Sequence, residues 1–239
     1  MADSSDTHYL QRLSSDARRR GDHSKGEIEI VADPETIAAI VEERRRTLET
    51  LGFSNQGDRL GILVEDEYVL VVRDPVRFPS GKLGTYLRII ERPALDGAAG
   101  VVLLPMRDEV MFLREVFRHA TRRWELELPR GFRRPGESLA EDVARELAEE
   151  IGLDARETVP LGAIASNTGL LAGTAEAFLV RLGPGEPQPH PEREEAFGAI
   201  VTLTAAQLSD KVRSGTIRDG YTLSALLLAQ SKRLLTLSF

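Results

Sequence analysis

The chain contains no cysteine, which excludes disulfides and any thiolate-ligated metal site. It also lacks a basic surplus. With 31 Lys and Arg against 38 Asp and Glu, its formal net charge is −7. A nucleic-acid partner is therefore not expected, since such proteins usually present a basic surface. The acidic balance still permits a small anionic substrate, because bound metal ions reverse the local field. No apolar run approaches membrane-spanning length, and the N-terminus has no signal-like apolar core. The expectation is a cytoplasmic protein with no membrane contact. What the chain does have is 239 residues, 41% of them hydrophobic. That suffices for one large domain, or one domain with an appendage.

The organisation follows from changes of rhythm along the chain. Residues 1–32 are polar, include Arg18, Arg19 and Arg20, and read as a flexible tail. Asp33 and Pro34 then offer a helix cap followed by proline at the first helical position. Ile37, Ile40, Val41, Leu48 and Leu51 continue as a helical stripe, giving a helical extension over 33–58. From residue 59 to 239 the pattern is that of one domain. Short β-branched runs near 62–64, 68–72, 85–90, 101–104, 110–117 and 124–128 predict strands, and further strands are expected near 159–165, 175–182 and 199–203. Helices are expected near 205–214 and 222–235. Strands, a helix, more strands and terminal helices predict an α/β sandwich with a mixed sheet.

The most informative segment lies between Gly131 and Leu153, where a glycine loop feeds a helix rich in carboxylates. Ser138 and Glu141 have the spacing of a capping box, and Gly152 can close the helix in the left-handed conformation. At about 100° per residue, Ala140, Val143, Ala144, Leu147, Ala148 and Ile151 fall on one arc, predicted to pack on a core. Asp142, Glu146, Glu149 and Glu150 fall on the opposite arc. Like charges three or four residues apart each cost roughly 0.2–0.5 kcal/mol. Glu146, Glu149 and Glu150 accept that cost and converge on one patch. Such a patch suits a hard cation that prefers oxygen ligands, Mg²⁺ above all. An acidic helix face is ordinarily just a solvated surface. Gly131, Gly136 and Glu137, at fixed offsets ahead of the helix, change that reading.

Gly131, Glu137, Arg145, Glu146, Leu147, Glu149, Glu150, Gly152 and Leu153 occupy every fixed position of the Nudix box. The chain therefore resembles the Nudix hydrolases, metal-dependent enzymes that cut nucleoside diphosphates linked to another moiety. Glu127-Leu128-Pro129-Arg130-Gly131 is similar to the approach segment of the ADP-ribose and nucleotide-sugar pyrophosphatase branch. Arg130 stands there where that branch usually has alanine. Residues 214–219 also resemble that branch's closing segment.

The resemblance implies a Nudix-type α/β/α sandwich with a mixed β-sheet, here with an N-terminal helical extension. It implies metal ligation by Glu146, Glu149, Glu150 and the carbonyl of Arg130, with Mg²⁺ as the ion and Mn²⁺ as a substitute. Glu137 and Arg145 are expected to pair loop to helix. Arg118, Arg130 and Asn167 become candidates for substrate contact, and Glu194, Glu195 and Glu149 for catalysis, with Glu194 first as general base. The expected substrate is a nucleoside diphosphate derivative, ADP-ribose or a nucleotide sugar, and branch relatives are commonly homodimers. The loop 166–170 lacks the proline that ADP-ribose enzymes often carry. Two alternatives stay open, a triphosphate or dinucleotide pyrophosphohydrolase and a non-catalytic nucleotide-sensing module.

Overall fold

The computed structural model describes residues 8–12, 19–53, 58–190 and 196–238. They form two compact units. One comprises the described residues up to Gly97 together with Asn167–Gly173, and the other comprises Ala98–Ser166 and the described residues from Thr174 onward.

The first unit is built on β3 (Val69–Arg77), which pairs antiparallel with β1 (Glu29–Ile30), β2 (Gly61–Glu65) and β4 (Leu83–Glu91). Helix α1 (Pro34–Thr50) precedes β2. Asp33 caps it through a 2.8 Å bond from the Thr36 amide, and Pro34 occupies its first turn. Only the first half of the apolar stripe is buried. Ile37 and Ile40 pack with Val31, whereas Leu51 is exposed.

The reading of 1–32 as a loose tail needs correction for its described residues. Tyr9 is buried, and its hydroxyl donates to Asp74 Oδ1 at 2.5 Å. Arg88 Nε holds the other oxygen of Asp74 at 2.6 Å. A buried carboxylate needs such partners, because an unpaired charge in the interior costs several kcal/mol. Glu29–Ile30 adds a strand to the sheet. The division also falls after Gly97 rather than at residue 58, since β2, β3 and β4 share the cluster of Tyr9, Leu70, Val72 and Ile90. The segment Asn167–Gly173 runs beside β4, tied by Ile89 N to Leu170 O (2.8 Å) and Ala172 N to Ile89 O (2.9 Å).

The second unit is a mixed α/β fold. Its strands are β5 (Gly100–Arg107), β6 (Val110–Arg118), β7 (Arg123–Glu127), β8 (Arg130–Phe132), β9 (Ala155–Ile164), β10 (Ala175–Leu182) and β11 (Phe197–Thr204). The sheet order is β11-β6-β5-β10-β9, with β7 on β6 and β8 on β5. The β10–β5 pair is parallel and the other pairs are antiparallel. Three helices join it, α2 (Leu139–Glu150), α3 (Ala205–Arg213) and α4 (Gly220–Ser231).

Strand β5 is apolar nearly throughout because both its faces are covered. Val101 and Leu103 join Val143, Leu147 and Ile151 of α2, while Val102, Leu104 and Met106 join Leu208 of α3 and Ala225 and Leu226 of α4. Period-two alternation thus divides one strand between two clusters. The turn between β5 and β6 is two residues long. Met106 is buried in β5, and only Asp108 and Glu109 turn, both at positive φ as a type I′ hairpin demands.

Candidate active site

Helix α2 starts as its sequence dictates. Ser138 Oγ accepts from the Glu141 amide, and the Glu141 carboxylate accepts from the Ser138 amide at 2.8 Å. At the other end Gly152 is left-handed, with φ of 71°. A side chain there would also place its Cβ 1.9 Å from the Gln188 carbonyl oxygen. The segment after β10 therefore seats against the end of the box helix, and the His190 amide donates to Glu149 O at 2.9 Å.

The predicted apolar arc of α2 is corrected. Ala140, Ala144 and Ala148 are exposed, and the buried face comprises Val143, Leu147 and Ile151 together with Asp142, Glu146 and Glu150. The helix turns its carboxylates inward because cations and amides await them. Asp142, wholly buried, accepts from Arg133 Nε (2.9 Å), the Arg134 amide (3.1 Å) and Arg145 Nη2 (2.9 Å). Burial alone would raise its pKa. Arg133, the Arg134 amide and Arg145 outweigh that and hold it below the usual aspartate range.

Arg145 is the cation of this side of the helix. Its Nε donates to Glu137 Oε2 at 3.0 Å, and its Nη2 to the Phe132 carbonyl at 3.0 Å. Its Nη1 reaches Glu146 Oε1 at 2.5 Å and Glu149 Oε2 at 3.4 Å. Burial works against this charge, but Glu137, Glu146 and Asp142 raise its pKa well above that of a free guanidinium. Glu149 also accepts from Arg134 Nη2 at 3.3 Å. Glu150, on the inward side, accepts from the Arg130 amide at 3.0 Å. Among the described residues no three metal-ligating side chains are drawn into a cage.

Beside β8 lies a cleft of about 670 Å³, within the usual range for small-molecule sites. Its lining includes Arg118, Glu125, Glu127, Arg130, Arg218 and Asp219. Arg118 donates through Nε and Nη2 to Glu127 Oε2, at 2.9 and 2.6 Å. Arg130 reaches the same oxygen at 3.3 and 3.1 Å and Asp219 Oδ1 at 3.3 Å, and its guanidinium lies over the Tyr221 ring. Asp219 is also the cap of α4, accepting from the Thr222 amide at 2.8 Å. Thr222 Oγ1 in turn accepts from the Leu128 amide at 3.0 Å, so α4 is stitched to the strand that leads into the box. For Arg118, burial opposes the charge, while the Glu127 hydrogen bond and charge prevail and raise its pKa.

The structure brings Arg118 and Arg130 together on one buried carboxylate, and Glu137, Glu146 and Glu149 around Arg145. Asn167 belongs to the first unit, where its side-chain oxygen accepts from the Gly169 amide at 3.3 Å. Glu194 and Glu195 lie outside the described residues. Several residues of the site had no role assigned from sequence, among them Glu125, Glu127, Asp142, Arg218 and Asp219. The pairing of two lone arginines with glutamates in a short strand, Arg218 with Glu125 and Arg118 with Glu127, has no local spacing that would reveal it.

A protein-family model described as the NUDIX domain matches residues 94–219, more than half of the chain. The chain belongs to the Nudix family. A solved structure described as an ADP compounds hydrolase is similar to it, at 23% identity and a TM-score of 0.61. That match covers 72% of this chain and 89% of the other. The likeness is one of fold. No curated protein matches the chain. No helix among the described residues is long and apolar enough to cross a membrane.

Proposed function

We propose that the chain hydrolyses the diphosphate linkage of a nucleoside diphosphate derivative, ADP-ribose or a nucleotide sugar, in a Mg²⁺-dependent reaction. The products would be a nucleoside monophosphate and a sugar phosphate. The observation that carries this reading is the meeting of the α2 carboxylates with β8. A Cβ at Gly131 would lie 2.0 Å from Glu146 Oε1, and the Glu150 carboxylate accepts from the Arg130 amide. Any side chain at 131 would push the Glu146 carboxylate out of that position.

The donors fit a divalent cation. All are oxygens, as hard cations prefer, and Glu146 and Glu149 already gather around a positive charge, the Arg145 guanidinium. Glu146, Glu149, Glu150 and the Arg130 carbonyl would hold the ion, with Mn²⁺ as a substitute. When bound, the ion screens the diphosphate oxygens and acidifies water.

The remaining work falls to side chains of this chain. Arg145, fixed by Glu137 and Asp142, orients Glu146 and Glu149. Arg118 and Arg130, their Nε/Nη2 edges held by Glu127, offer Nη1 donors to the substrate's oxygens. Glu194, or Glu195 beside it, takes the proton of the attacking water as general base. Further proposals are a homodimer in solution and a cytoplasmic setting.

The test is a panel of ADP-ribose, nucleotide sugars, dinucleotides and triphosphates with Mg²⁺ and product separation. Two monophosphates from a diphosphate-linked substrate support the reading. Release of inorganic pyrophosphate from a triphosphate would replace it.

A further inference from the structure

Two of the carboxylates proposed to hold the metal ion, Glu149 and Glu150, are the last two residues of α2. Helix ends fray, because their final carbonyls have no partner within the helix. Mg²⁺ demands near-ideal octahedral geometry, so ligands on a loose turn would bind it poorly. The core holds this turn through wholly buried Ile151, but the Glu149 carbonyl must find its partner elsewhere.

Segment 183–190, which follows β10, supplies it. The His190 amide donates to the Glu149 carbonyl at 2.9 Å, and the Gln188 amide to the Gly152 carbonyl at a longer 3.4 Å. Pro187 and Pro189 alternate with these two donors and have no amide to leave unsatisfied. Each proline also fixes its own φ, and Pro189 favours an extended Gln188 before it. The other end of the segment is tied as well. Arg107 Nη1 donates to the Gly183 and Gly185 carbonyls at 3.3 and 2.7 Å, with its guanidinium over the Phe112 ring. The Gly183 amide donates to Asp154 O at 2.8 Å. The fit leaves no room for a side chain at Gly152. A Cβ there would lie 1.9 to 2.5 Å from main-chain atoms of Gln188 and Pro189, which cannot swing away as a side chain can.

We infer that segment 183–190 is a splint for the last turn of the box helix, and that the His190 amide and Gly152 position the metal-binding carboxylates. The consequence for the metal rests on the function proposed above, whereas the splint needs neither metal nor substrate.

Three variants of the full chain separate the two. H190P removes the amide, H190A keeps it and alters only an exposed side chain, and G152A unseats the segment from the helix side. Thermal melts fix a temperature at which the proteins compared are folded. Amide hydrogen exchange at Ile151 and Gly152, both bonded to the Leu147 carbonyl, reports the last turn. It should be about tenfold faster in H190P and G152A and unchanged in H190A. Mn²⁺ is then titrated into each protein, with the free ion read by electron paramagnetic resonance. H190P and G152A should bind it about tenfold more weakly, the scale expected when support behind a metal ligand is removed. H190A should bind it as the wild type does.

Unchanged exchange in H190P overturns the splint. Faster exchange with wild-type Mn²⁺ affinity makes the segment a purely structural cap and overturns the positioning role. If the wild type binds no Mn²⁺, the metal reading fails and the positioning role with it, while exchange still decides the splint. If G152A does not fold, H190P against H190A carries both comparisons.

Discussion

Gly131 and Glu146 occupy one another's space. A Cβ on Gly131 would fall 2.0 to 2.3 Å from the Glu146 carboxyl atoms, a distance no side chain tolerates. Gly131→Ala must push the carboxylate or the strand aside. The atoms met are the far end of a flexible side chain, so it is the carboxylate that swings aside, at little cost in stability. Displacing a reacting-site group by about 1 Å costs about 10²-fold in rate. The variant should therefore fold, melt near the wild type, and lose about two orders of magnitude in kcat/KM. Steady-state kinetics beside a thermal melt check both expectations.

Asp142 should govern the acid limb of stability. Its folded pKa is depressed by Arg133, the Arg134 amide and Arg145 against the opposing effect of burial. The stabilisation is complete above the unfolded aspartate value of about 3.9 and is lost as pH falls through the lower folded value. Asp142→Asn should lose stability at neutral pH and show a flatter decline below about pH 4. Urea unfolding of both proteins across that range measures the difference in slope.

Thr222 joins α4 to the strand entering the box. Its wholly buried hydroxyl accepts from the Leu128 amide and donates to Asp219. Thr222→Val keeps the shape but leaves a buried amide without its partner, which costs about 1–3 kcal/mol. Thr222→Ser keeps the hydroxyl and should recover most of the loss. Denaturant midpoints order the three proteins.

The general base is assigned by comparing two neighbours. Glu194→Gln should lower kcat by about 10²–10⁴ with little change in the Mg²⁺ requirement. Glu195→Gln should stay near wild type. The reverse pattern moves the role by one residue.

Local signals in the sequence were the readable ones. The caps of α2 and the Asp33 cap of α1 each depend on residues a few positions apart, and each stands in the structure. The face of α2 was misread because hydropathy places alanine inside and aspartate outside. Nothing in the helix says that Arg133, which precedes it, will join Arg145 in neutralising Asp142. Tyr9 was invisible for a related reason, since its partner Asp74 lies 65 residues away. Strand β8 is three residues around a glycine, too short for any periodicity. The acidic ladder of the box was legible at once, whereas the arginine pairs of the cleft, whose carboxylates come from β7, were not.

The account stands most directly on Glu150, buried on α2 and bonded to the Arg130 amide. Glu150→Gln replaces an anionic oxygen with an amide of the same shape. The decisive measurement is Mg²⁺-dependent turnover of the best panel substrate by this variant, at a temperature where its melt matches the wild type. The account predicts that turnover is abolished while the fold persists. Near-wild-type turnover would contradict it.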